Sequence, residues 1–184
     1  SIIQPKKGQK VTFFTQNEVH HEIELGFMIN TELYNKDITK SGNWQDYIAG
    51  YFLALDLTDR DYQWFLKKNS LPWDLAKGQN NFLPLSTFVS KTQIRDPYSL
   101  ILDLQINGKT VQKDSTGNMH FKIDQQISFA IKFMTLNQGD LFLTGTPSGV
   151  GPIKNGDEVF AQLLDGDKVL AQIHFFAEIV KSSL

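Results

Sequence analysis

Two carboxylates stand in the middle of a stretch that is otherwise built for a strand. Val11, Phe13 and Phe14 precede it, Phe27, Met28 and Ile29 follow it, and between them runs Val19-His20-His21-Glu22-Ile23-Glu24-Leu25-Gly26. On a strand the side chains at i and i+2 share a face, so Glu22 and Glu24 lie side by side while Ile23 and Leu25 turn toward a core. Two adjacent like charges repel each other and lose hydration if covered. The face is therefore either open to water or met by something cationic. A hard divalent cation answers the second case, because Mg²⁺ or Mn²⁺ takes carboxylate oxygens and keeps other positions for water and substrate. Taken alone, the E-x-E spacing favours the solvated face of an edge strand.

Composition narrows the setting. A chain of 184 residues that is 41% hydrophobic fits one domain, residues 1–184, with a sizeable core. A net charge of -2 and a pI of about 6.1 supply no global field for nucleic acid or an anionic membrane. The absence of cysteine excludes disulfides and thiolate metal sites. It suits a reducing compartment, with the cytoplasm as the expectation, or the mitochondrion if a targeting segment has been removed upstream. No apolar run approaches the ~20 residues of a membrane span. The opening Ser1-Ile2-Ile3-Gln4-Pro5 suits the interior of a longer chain.

Along the chain, residues 2–29 read as two or three short strands and 32–43 as a polar loop. Ile48 to Leu57 is a nearly continuous apolar run that suits a buried strand and carries Asp56 near its end. Thr58 is the expected N-cap of a helix over Asp59–Lys68, with Asp59 and Asp61 in its first turn and Lys67-Lys68 in its last. Leu75 to Val89 reads as loop. Leu100 to Asn107 alternates at period two, Asn107-Gly108 is a two-residue hairpin signal, and Thr110-Val111-Gln112 returns. Ile127, Ala130, Ile131 and Met134 form a helical stripe over Ile123–Leu136. A strand over Asp140–Thr144, a glycine-rich turn from Gly145 to Gly151 and closing strands at Glu158–Leu164 and Val169–Ile179 complete a β-rich α+β domain with a few short helices. Trp44, Trp64 and Trp73 read as packing residues.

Three segments occur in order: His21-Glu22-Ile23-Glu24-Leu25-Gly26; Leu55-Asp56-Leu57-Thr58-Asp59-Arg60-Asp61-Tyr62-Gln63 with Lys77-Gly78 beyond it; and Gly139-Asp140-Leu141-Phe142-Leu143-Thr144-Gly145-Thr146-Pro147-Ser148-Gly149-Val150-Gly151. As an ordered set they resemble the fumarylacetoacetate hydrolase family, in its small acylpyruvate hydrolase and oxaloacetate decarboxylase branch. The resemblance implies the mixed β-sandwich or roll of that family's C-terminal domain and a homodimer. It implies Glu22, Glu24 and Asp56 as ligands of one Mg²⁺ or Mn²⁺. It gives Arg60, Gln63, Lys77 and Thr146 contacts to a small 2-oxo acid substrate, with Lys77 supporting the charge that develops on it. His21 is expected to orient a ligand carboxylate.

Family members that hydrolyse C–C bonds carry an upstream helix whose His…Glu pair activates water, and nothing in residues 1–17 matches it. The expectation is therefore a domain lacking that lid segment. The implied activity is hydrolysis of acylpyruvates or decarboxylation of oxaloacetate through an enolate. Tautomerisation of oxaloacetate-type acids, which needs no activated water, is the alternative, and an inactive metal-binding scaffold the remaining one.

Overall fold

Val159, Ala161 and Leu163 are buried between half-exposed neighbours, the period-two signature of a sheet with one face on a core. The computed structural model describes residues 1–34, 38 and 43–181. The chain begins with β1 (Ile2–Ile3), β2 (Gln9–Phe14), β3 (Val19–His21), β4 (Ile23–Ile29), β5 (Ile48–Leu55) and β6 (Thr58–Asp59). It then forms α1 (Arg60–Lys68), α2 (Asp74–Lys77), β7 (Leu83–Pro84), β8 (Val89–Ser90), β9 (Ile101–Ile106) and β10 (Lys109–Ser115). It closes with α3 (Ile123–Ala130), β11 (Leu141–Leu143), β12 (Gly151–Ile153), β13 (Glu158–Asp165) and β14 (Lys168–Val180).

Among the described residues these strands make sheets of order β10-β9-β13-β14-β2, β11-β4-β5-β8 and β12-β3-β6, with β1 beside β7. β2 joins β14 in parallel, Gln9 opposite Phe175. The two larger sheets share one core, to which β4 and β5 give Leu25, Phe27, Leu53 and Leu55, and the other sheet gives Val11, Phe13, Leu104, Val159 and Phe175. Phe13 meets Phe82 and Phe175 edge-on, each at 6.0 Å between ring centres. β4 and β5 are buried on both faces over most of their length, which is why they read as apolar runs rather than as clean alternation.

The β-rich α+β expectation holds, with differences in detail. Thr58 does not cap α1. It pairs with His20 in a short ladder, and the Asp59 carboxylate takes the cap by accepting from Tyr62 N–H at 3.0 Å. Residues 75–89 are not all loop: α2 ends at Lys77, and β7 and β8 begin within them. The helix expected to reach Leu136 stops at Ala130, because Leu136 is drawn into a β-bridge with Leu33, and Met134 is left exposed. Trp44 packs on the core, but Trp64 and Trp73 stand exposed, with Lys67 Nζ 5.4 and 4.8 Å from their ring centres. Most of the loop read at 32–43 lies outside the described residues.

Candidate metal centre

The acids are brought together by strand register. On β4 and β5, Ile23 faces Leu55 and Glu24 faces the small Ala54. One step beyond, Asp56 N–H donates to the Glu22 carbonyl at 2.9 Å, which sets Asp56 beside Glu22 across the two chains. Glu22 occupies the break between β3 and β4, and Glu24, two residues on, shares its face. One carboxylate oxygen from each of Glu22, Glu24 and Asp56 lies within 4.8 Å of the others. The solvated-face reading fails for Glu24, which is only 4% exposed.

Charge in the cluster is unevenly relieved. Lys77, at the last turn of α2, donates through Nζ to Glu22 Oε2 at 2.7 Å and to Asp56 Oδ2 at 2.6 Å. Arg60, at the start of α1, donates through Nη2 to Glu22 Oε1 at 2.7 Å and through Nη1 to Gln63 Oε1 at 2.7 Å. Burial alone would raise the Glu22 carboxyl, but these two cations outweigh it and hold it below the usual range. Burial dominates at Asp56 and pushes it up despite Lys77. Glu24 receives one backbone donor, Gly145 N–H at 2.6 Å. Burial, then the neighbouring Asp56 charge, pushes its carboxyl up to about 8. Three acids converge where two cations serve chiefly Glu22 and Asp56, so the unmet demand falls on Glu24. An all-oxygen set of this kind fits a hard divalent cation, which would take the place of the Glu24 proton.

The flanking groups are tied down from several sides. The buried Asp59 carboxylate accepts from Thr15 Oγ1 (2.9 Å) and Gln79 Nε2 (3.1 Å) on one oxygen, and from Asn17 Nδ2 (2.9 Å) and Tyr62 N on the other. It thereby fastens the start of α1, which carries Arg60 and Gln63 one turn apart on a single face, to the residue pair following Lys77. Arg60 Nε is buried without a partner, and the Gln63 amide nitrogen remains for a further acceptor once its oxygen has accepted from Arg60. Thr146 lies in the turn after β11. Its hydroxyl donates to the Ile23 carbonyl at 2.9 Å and accepts from Gln112 Nε2 at 2.9 Å.

All seven residues singled out in the sequence thus border one region: Glu22, Asp56, Lys77, Arg60 and Gln63 through a chain of hydrogen bonds, Glu24 through the carboxylate cluster, and Thr146 through Ile23 and Gly145. His21 departs from expectation. Burial lowers its pKa, and its Nδ1 meets Gln112 Oε1 at 2.8 Å rather than a ligand carboxylate. His20 Nε2 pairs with the exposed Glu18 at 3.2 Å. Sequence reasoning missed Gln112, Asp59 as a hub and the Gly145 N–H. The D/S/T/N preference at helix starts was a usable signal for Asp59, since both Thr58 and Asp59 satisfy it.

A family model described as fumarylacetoacetate (FAA) hydrolase C-terminal matches residues 1–181. The chain is 43% identical over 164 residues to the mitochondrial oxaloacetate tautomerase oaa1 of Schizosaccharomyces pombe, covering 89% of this chain and 74% of that protein. It is 42% identical over 143 residues to the mitochondrial oxaloacetate decarboxylase of Dictyostelium discoideum, covering 78% of this chain and 64%, less than two thirds, of that protein. A solved yeast structure, ynq8, described as a fumarylacetoacetate hydrolase family protein, superposes with a TM-score of 0.87 at 32% identity, covering 95% of this chain and 75% of that one. Strand-rich with few helices, and matched along nearly its whole length by the family model, the chain belongs to the fumarylacetoacetate hydrolase family.

Proposed function

We propose that this domain binds one Mg²⁺ or Mn²⁺ through Glu22, Glu24 and Asp56 and interconverts the keto and enol forms of oxaloacetate-type 2-oxo acids. The observation that carries the reading is the Lys77 ammonium, held between Glu22 and Asp56 at 2.7 and 2.6 Å beside the third carboxylate. A divalent cation in this cluster supplies a Lewis acid for adjacent carboxylate and 2-oxo oxygens. Two of the three Lys77 N–H bonds are committed to its anionic partners. The third is left for the oxygen on which negative charge develops when a proton leaves C3. Arg60 Nε–H, which has no partner, and the Gln63 amide nitrogen, whose oxygen already accepts from Arg60, serve the substrate carboxylate. Thr146 lines the same turn, its hydroxyl bound to protein groups and its backbone flanked by Gly145.

Enolisation uses these groups for charge stabilisation and no activated water nucleophile: the C3 proton passes to solvent and the enolate oxygen takes one back from solvent. The tautomerase named among the relatives supports it, and the decarboxylase there supports loss of CO₂ from oxaloacetate as a second outcome of the same charge stabilisation. Hydrolysis of acylpyruvates needs a base for water, typically a factor of 10²–10⁴. A reducing compartment, cytoplasm or mitochondrion, fits relatives described as mitochondrial. A homodimer is supported by the apolar face where Phe121, Phe129 and Phe133 are 61%, 64% and 71% exposed.

The test follows the ultraviolet absorbance of enol oxaloacetate with saturating Mg²⁺, beside acetylpyruvate consumption under the same conditions. Accelerated enol loss, abolished by chelator and by Lys77→Met, with slow acetylpyruvate cleavage, is the expected result. Enol loss no faster than in buffer, or acetylpyruvate cleavage as fast as tautomerisation, overturns the reading.

A further inference from the structure

The spacing of Glu22 and Glu24 is set by the two peptide groups between them, and both belong to Ile23. In the antiparallel ladder Ile23 and Leu25 point their backbone groups toward β11. Thr144 N–H, just past the end of β11, still reaches the Leu25 carbonyl at 3.1 Å. The strand partner then runs out, and side chains complete the edge: Thr146 Oγ1 donates to the Ile23 carbonyl at 2.9 Å, and Ile23 N–H donates to Gln112 Oε1 at 3.2 Å.

Gln112 joins both halves of this clamp. Its Oε1 also accepts from His21 Nδ1 at 2.8 Å, while its Nε2 donates to Thr146 Oγ1 and to the Pro147 carbonyl, each at 2.9 Å. All four hydrogen-bonding positions of the amide are filled, and the residue is 1% exposed. It reaches inward from a bulge: the β10–β9 register shifts between Thr110 and Gln112, leaving Val111 as the extra residue. Gly149, at φ +99°, seats the turn directly on that bulge, where a Cβ would strike the Val111 carbonyl. The same turn presents Gly145 N–H to Glu24.

We infer that Gln112 is a positioning residue for the metal centre: it fixes the two peptide planes that aim Glu22 and Glu24, and locks the Gly145-Thr146 turn to them. The inference rests on the three-carboxylate centre proposed above, and its readout does not depend on which reaction that centre performs.

The test measures Mn²⁺ affinity by calorimetry and Mn²⁺ paramagnetic resonance linewidth in wild type, in Gln112→Met (similar volume, no hydrogen bonds) and in Gln112→Asn (the same groups, one methylene too short to span both sides). Outer groups that orient ligands typically account for about 10–100-fold in metal affinity. Both variants should melt cooperatively, bind Mn²⁺ at least tenfold more weakly and broaden the resonance. Thr116→Val is the control, since it removes a buried hydroxyl bonded to Leu100 on the same hairpin with no link to the clamp. It should lose stability yet keep wild-type affinity and linewidth. A folded Gln112 variant that binds Mn²⁺ within twofold of wild type, with an unchanged linewidth, overturns the inference. So does failure of both variants to fold, which would assign Gln112 to the fold alone. Absence of Mn²⁺ binding in wild type would remove the metal centre itself and this inference with it.

Discussion

The Glu24 carboxyl carries a large electrostatic cost, and its size follows from its surroundings. Burial, then the Asp56 charge, raises it from 4.5 to about 8. An acid whose pKa rises on folding holds its proton more tightly in the folded state. Its contribution to stability is therefore fully present below about pH 4.5 and is lost as the pH climbs to about 8. At 1.36 kcal/mol per pKa unit, the loss is about 1 kcal/mol at pH 5 and about 3 kcal/mol at pH 7. Glu24→Gln keeps the shape and an oxygen for the Gly145 N–H but cannot ionise. In chelator-treated protein, the stability of this variant relative to wild type should thus improve by about 2–3 kcal/mol between pH 5 and pH 7, or roughly 5–10 °C in Tm. Urea and thermal unfolding at both pH values measure it, and taking the difference between the two proteins cancels His21, which titrates in both. Saturating Mg²⁺ should reverse the order, since the amide is the poorer ligand. Parallel stability profiles for the two proteins would refute the assignment of this cost to Glu24.

Glu24→Ala should abolish Mg²⁺ and Mn²⁺ binding in calorimetric titration while the domain still folds; wild-type affinity would remove Glu24 from the ligand set. Oxalate, a flat dianion resembling the enolate of pyruvate, should bind only to metal-loaded protein, and Lys77→Met should weaken it about ten- to hundredfold, the worth of a charge-assisted contact of ~1.5–3 kcal/mol. Asp59→Ala leaves the Tyr62 N–H and three side-chain donors without their shared acceptor, so urea unfolding should show a loss of at least about 3 kcal/mol.

What could be read from the sequence was what repeats at short range. Glu22 and Glu24 declare a shared face through their spacing alone, and Ile23 and Leu25 are buried on the other side as that spacing requires. Asp56 carries no such signal, since its place beside Glu22 depends on β4–β5 register, and only the resemblance of the ordered motifs picked it out. Lys77 was legible as a residue but not as an ion pair, because a single helical turn at Asp74–Lys77 has too few residues to show periodicity. Gln112 was invisible for a stronger reason. Its role comes from a bulge, and a bulge is the mismatch between two strands rather than a property of either one. The capping error at Thr58 came from two adjacent residues with similar preferences, decided by which one His20 drew into a ladder.

The parallel pairing of β2 with β14 has a consequence in time. Thr12 reaches Glu178 at 2.6 Å, so the strand that leads into the carboxylate cluster finds its sheet neighbour at the far end of the chain. During synthesis, β2 through β5 emerge with half of their core still to be made, and the acids are in place well before Gln112 and the Gly145–Gly151 turn. Contacts of such long sequence separation close large loops before they return any stabilisation, which places folding in the slow, millisecond-to-second range typical of non-local β topologies. The nascent chain therefore holds two unclamped glutamates until Gln112 and the Gly145–Gly151 turn emerge, and an open β2 edge until β14 follows, and it is in that interval, rather than after folding, that pairing with another chain is the hazard.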